Sequence, residues 1–147
     1  MKVGLKRCAS KYLAPAILAS CVIISPGLAN ADQTAQGTVQ LSITASSQSA
    51  SITSATCELE LLTADPNTKI NFIEDVIVQA TVASNVVTCT VVAPYNWSLT
   101  ALTGPIDILY SVSGMNGSAV TNTTTGGFDT IPASTTGTTP LNLSTVF

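Results

Sequence analysis

After residue 31 the chain offers eight carboxylates, two cysteines, one lysine and no histidine or arginine. That inventory restricts chemistry. Without histidine, neither a Ser-His-Asp nor a Cys-His nucleophile system can form. A zinc site would lack imidazole ligands, and cysteines joined in a disulfide cannot act as thiolates. Carboxylate-pair chemistry of the glycosidase kind remains, with Glu58, Glu60, Glu74, Asp75, Asp107 and Asp129 as candidates. Glu58 and Glu60 alternate with Cys57, Leu59 and Leu61, which suits the solvent face of a strand, and Glu74-Asp75 reads as a bend. No Asp-x-Asp-x-Asp-Gly calcium loop occurs. The expectation is therefore a protein without catalytic residues, metal or cofactor.

The cysteine count depends on the start of the chain. Lys2, Lys6, Arg7 and Lys11 precede an apolar run from Tyr12 to Ile24, Pro26-Gly27 breaks it, and Ala29-Asn30-Ala31 is a small-x-small cleavage site. Residues 1–31 thus read as an export signal. A second reading takes Leu18-Ala19-Ser20-Cys21 as a lipobox, with Cys21 a lipidated N-terminus. Either way Cys57 and Cys89 are the only cysteines left to pair. Export makes a disulfide their default state, against the alternative of two separate buried thiols.

Charge bounds the partners. All eight acidic residues lie after residue 31 and Lys69 is the only basic residue there, so the exported chain carries 1 − 8 = −7. Nucleic acid binding needs clustered Lys and Arg, so it is excluded. An anionic membrane surface is excluded on the same ground. Ser, Thr, Asn and Gln replace the missing charges, while Val, Ile and Leu suffice for a core.

The elements that must position these residues are strands. Val39, Leu41 and Ile43 alternate with polar neighbours over 38–44. A small polar stretch, 45–51, then reads as a hinge. The next strand is 56–62, with Cys57, Leu59 and Leu61 inward, and Asp65-Pro66-Asn67 is a turn. Further period-two sets are Ile70 and Phe72; Val76, Val78, Ala80 and Val82; Val87, Cys89, Val91 and Ala93; Trp97, Leu99 and Ala101; and Ile106, Ile108, Tyr110 and Val112. Pro94 is expected to end its strand. Asn116-Gly117 signals a hairpin. The low-complexity stretches 123–127 and 134–137 read as loops, and Leu141 to Phe147 as a last strand. Short strands at this spacing, with no helical period, predict an all-β antiparallel sandwich.

The signal, the alternating first strand, the hinge and the two separated strand cysteines together resemble the pilin subunits of bacterial chaperone–usher fimbriae. The resemblance implies an incomplete immunoglobulin-like sandwich over residues 51–147, completed by a donated strand. Residues 32–50 would be the donor-strand extension and hinge, with Val39, Leu41 and Ile43 as the donor side chains. It implies a structural subunit at the bacterial cell surface, periplasmic in transit, that supports adhesion. Its partners would be copies of itself or other pilins, a periplasmic chaperone, an outer-membrane usher and a host or surface receptor. In the alternative reading, 38–44 is an ordinary first strand of a self-contained surface module, secreted or lipid-anchored. That module could bind carbohydrate through Tyr95, Trp97 or Tyr110, although the period of Trp97 points it inward.

Overall fold

The computed structural model describes residues 32–47 and 51–146. The signal, the lipidation alternative at Cys21 and the terminal Phe147 lie outside the described residues. Eight strands follow in order: β1 Gln33–Ser46, β2 Ser54–Ala64, β3 Asn71–Gln79, β4 Thr81–Ala83, β5 Val86–Leu99, β6 Pro105–Asn116, β7 Ala119–Pro132 and β8 Thr138–Val146. They form two four-stranded sheets. Sheet A has the order β4-β5-β1-β8 and sheet B the order β3-β2-β6-β7. Every pairing is antiparallel except β1 with β8, which run parallel.

The period-two patterns become the core directly, because alternate side chains leave a strand on opposite faces. Val39, Leu41 and Ile43 of sheet A are buried with Leu59, Leu61, Ile106, Ile108 and Val112 of sheet B, in one core between the sheets. Val87, Val91 and Ala93 join from β5, and Phe72, Val76 and Val78 pack against the margin from β3. The ring of Trp97 lies 5.1 Å from Tyr95 and 6.3 Å from Phe72, centroid to centroid, so three rings close one end. The Asn116-Gly117 signal marks the β6–β7 hairpin, where Gly117 adopts φ 63°.

Several expected boundaries move. Pro94 does not end β5; it sits in the ladder opposite Thr38. β4 covers only Val86 to Thr88 of the other edge of β5, so Pro94 stands where that edge is open and a missing N–H is tolerated. Residues 123–127 are strand rather than loop, because consecutive threonines favour extended backbone and β6 supplies a partner. Glu74-Asp75 lies within β3 rather than at a bend, opposite Leu61 and Glu60. Ile70 precedes β3 and is exposed, so only Phe72 of that pair faces inward.

Two devices fasten sheet B to β5. Cys57 of β2 and Cys89 of β5 form a disulfide (S–S 2.06 Å, Cα–Cα 6.6 Å). It crosses between the sheets; the two strands are not hydrogen-bonded neighbours. The second device is Asp65, buried just after β2. Its carboxylate accepts from the backbone N–H groups of Asn67 (2.9 Å) and Thr68 (2.7 Å), which shape the turn. It also accepts from the N–H and Oγ of Thr100 at the end of β5. Burial alone would raise the carboxyl pKa; the bonds from Thr68, Thr100 and Asn67 outweigh it and hold it well below the usual carboxylate range.

Two outcomes test this account. Replacing both cysteines by alanine should lower stability by about 2–4 kcal/mol in urea unfolding, since the cross-link spans 32 residues. Asp65 has a depressed folded pKa, so its stabilisation is complete above the unfolded carboxylate value of about 4 and fades as pH falls below it. The melting temperature should therefore drop below about pH 4, and Asp65→Asn should lower it at neutral pH while flattening that acid slope.

Candidate functional site

The feature that can do something beyond fold is the place of β1. All 14 of its residues pair with β5, from Gln33–Leu99 to Ser46–Val86. Its second half also pairs with β8, from Thr38–Thr138 to Ser46–Val146. β5 and β8 do not pair with each other; β1 stands between them. Without β1, the remaining seven strands would leave a slot one strand wide, walled by β5 and β8 and floored by the core.

The donor candidates lie in that slot. Val39, Leu41 and Ile43 are 0, 0 and 2 % exposed. Their neighbours are Ala93, Val91 and Cys89 on one side and Thr139, Leu141 and Leu143 on the other. Ala35 and Ala45 extend the same inward face. The expectation drew these residues as an extension reaching into a neighbour, with the sandwich beginning at residue 51 and missing a strand. The structure places them differently: the chain's own β1 fills the slot. The physical reason is the apolar face itself, because burying each aliphatic side chain is worth about 1.5–3 kcal/mol. β1 of sheet A is followed in the chain by β2 of sheet B, and it fills the slot of its own sandwich.

Gly37 and Tyr95 mark one end of the slot. They face each other across β1 and β5, and a Cβ on Gly37 would lie 2.5 Å from the Tyr95 hydroxyl. That hydroxyl donates to the Thr135 carbonyl at 3.0 Å, tying β5 to the segment that leads into β8. Gly126 and Tyr110 repeat the arrangement in sheet B. A lone glycine inside an alternating strand signals a close approach, and Gly37 carries that signal. The contact with Tyr95 is set by tertiary register, which no local pattern reveals.

The candidate carboxylates divide. Glu58, Glu60 and Asp75 come together on the outer face of sheet B, with Glu60 opposite Asp75. Ser111 donates to Glu58 Oε2 at 2.6 Å. Burial, then the charge of Glu58 and a hydrogen bond with it, push the Asp75 carboxyl up. Glu74, Asp107 and Asp129 do not join them; Glu74 lies on the opposite face of β3, and the other two sit on β6 and β7. A shallow cleft of about 450 Å³ runs beside Glu58, Glu60, Leu109, Tyr110, Ser111 and Thr125. Strand alternation sends the Tyr110 ring to the other face, where it packs on Phe128 at 5.4 Å. Tyr95 and Trp97 are buried at 3 and 7 % exposure. Tyr95 and Trp97 are therefore core, and of the three aromatics suggested for sugar stacking only Tyr110 lines the cleft. Among the described residues, no group of three or more His, Cys, Asp or Glu side chains is arranged to hold a metal ion.

Fold and site together define a disulfide-stapled β-sandwich whose sheet A is completed by its most N-terminal described strand. Comparison with family models, curated proteins and solved structures finds no match.

The slot can be tested by truncation within it. Leu41→Ala should cost about 2–5 kcal/mol in chemical denaturation. Thr44→Ala, on the exposed face of the same strand, should change stability by less than about 0.5 kcal/mol.

Proposed function

We propose that this chain is a structural subunit of a bacterial surface fimbria, joined to its neighbours by donor-strand exchange and supporting adhesion. One observation carries the reading: β1 is the sole link between β5 and β8. A strand from a second copy would find the same slot, the same register and the same buried partners. Exchange of an identical element between copies is therefore close to neutral in contact energy, and concentration and the reach of residues 47–53 decide between closure in one chain and linkage between two. Because β1 leaves one copy and enters the next, the linkage is head-to-tail and extends as a filament. The cis strand of the lone chain is the stored form of the donor.

The surrounding features agree with that role. A disulfide fits an oxidising compartment outside the cytoplasm. In transit, a slot emptied of β1 would expose sheet edges and apolar side chains, which calls for a periplasmic chaperone and an outer-membrane usher. No catalytic role is assigned to Glu58, Glu60 or Asp75; they stay on the outer face, away from the slot.

Deletion of residues 32–47 should abolish surface filaments in electron micrographs of the producing cells. Cells with the deleted gene that still assemble normal filaments containing this chain would overturn the proposal. Supplying a synthetic peptide with the Gln33–Ser46 sequence to the purified deletion variant should restore cooperative unfolding without restoring polymers, because the peptide fills the slot and carries no second domain.

A further inference from the structure

The two walls of the β1 slot are fastened very differently. β5 is covalently tied to β2 and bonded by Asp65, and Val87, Val91, Ala93, Tyr95, Trp97 and Leu99 are all buried along it. β8 has a single hydrogen-bonded neighbour, β1, and none of its residues is fully buried. Leu141 and Leu143 only pack against the margin of the core. Elements with few buried contacts and one open edge are those that open locally while the remainder stays folded.

The root of β8 has an anchor and a hinge. Ala133 is fully buried, and its N–H donates to the Gly104 carbonyl at 2.9 Å. Residues 134–137 follow, with Gly137 in the left-handed region at φ 80°. The Thr135 N–H donates to the Pro132 carbonyl at 2.9 Å within the turn, and two bonds tie the segment to sheet A: Thr38 N–H to the Gly137 carbonyl at 2.9 Å, and the Tyr95 hydroxyl to the Thr135 carbonyl at 3.0 Å. The first is part of β1–β8 pairing and goes with it. The second is a latch from the fixed wall.

Charge says what would occupy the edge that β8 uncovers. The four strands of sheet A contain no charged residue. The strands of sheet B carry Glu58, Glu60, Glu74, Asp75, Asp107 and Asp129 and no cation. Two copies meet more like charge across sheet B than along the strands of sheet A. The usual charged guards of an edge strand are missing there. The uncovered edge of β1 also keeps the register that fits Leu141 and Leu143.

We propose that β8 opens about residues 134–137 as a unit, released by the Tyr95 latch, and that the β1 edge it uncovers takes β8 of a second copy. This is a link between copies through the C-terminal strand, and it does not require β1 to leave its sheet.

The test uses the chain from Asp32 onward, disulfide formed, and a fluorescent peptide with the Thr138–Val146 sequence. The wild-type chain should take up the peptide, and Tyr95→Phe should do so about two- to tenfold faster, the effect of one hydrogen bond on the opening equilibrium. Hydrogen exchange should show β8 amides exchanging ahead of those of β5 in both proteins, with β5 protection unchanged by the substitution. A peptide with Asp in place of Leu141 and Leu143 should not enter. The oxidised double variant Ser42→Cys, Asn142→Cys, which pins β8 to its partner position on β1, should take up none. Equal uptake by the pinned variant, or β8 exchanging only in step with β5, would overturn the proposal. Filaments that survive loss of residues 32–47 would defeat the fimbrial reading and leave this one standing. Filaments lost on that deletion, with β8 as protected as β5, would do the reverse.

Discussion

Sheet A exists because β1 stands between two strands that do not pair with each other. Everything else about the molecule is arranged around that fact. The apolar side chains of β1 provide the middle of the core, and its backbone offers one edge to β5 and part of the other to β8. A central strand of this kind is usually the last element a protein could give up. Here it is also the first described element of the chain and is followed by a strand of the other sheet, so it has the connectivity of a removable part and the burial of an essential one. That conflict between connectivity and burial is what makes exchange between copies a physical option rather than mere unfolding, since identical contacts await the strand in a neighbour.

The rest of the stabilisation is lopsided. The disulfide and Asp65 both fasten β5 to sheet B, by a covalent bond in one case and by charged hydrogen bonds to Thr100 in the other. Tyr95 and Trp97 of the same strand form a three-ring cluster with Phe72 of β3. Nothing comparable holds β8, which relies on its parallel pairing with β1 and on the Tyr95 hydroxyl at its root. β5 is thus the most heavily fastened strand of sheet A and β8 among the least, which is the contrast that the proposed opening of β8 rests on.

Much of this was legible in the residues. The alternation of Val39, Leu41 and Ile43, of Cys57, Leu59 and Leu61, and of Ile106, Ile108 and Val112 gave the strands and their inward faces, because period two follows from backbone geometry alone. Cys57 and Cys89, the two cysteines after residue 31, predicted their own bond. What could not be read is which strands lie beside which. A hydrophobic stripe on 38–44 fits a donated strand and an internal one equally well, since both bury the same face; only the partners differ, and partners are a tertiary property. The same limit hid the β1–β8 parallel pairing and the Gly37–Tyr95 approach. Pro94 and the threonines of 123–127 depart from expectation for another reason. Local propensity does not show that Pro94 stands where one edge of β5 is open or that β6 supplies the Thr-rich segment with a partner.

The distribution of charge joins the two halves of the argument. With a net charge of −7 after residue 31, copies of this chain should repel one another. Yet none of that charge lies on the strands of sheet A, so its field is weakest along the strands that a second copy would have to approach. Had the six carboxylates of the sheet B strands been scattered over both sheets, their repulsion would have guarded β8 in the way that edge charges ordinarily do. Confined to sheet B, they discourage face-to-face stacking of that sheet while leaving strand pairing through sheet A unopposed. Close, ordered contact between such acidic molecules is then easiest through backbone hydrogen bonds and small aliphatic side chains, which is the chemistry that β1 and β8 carry.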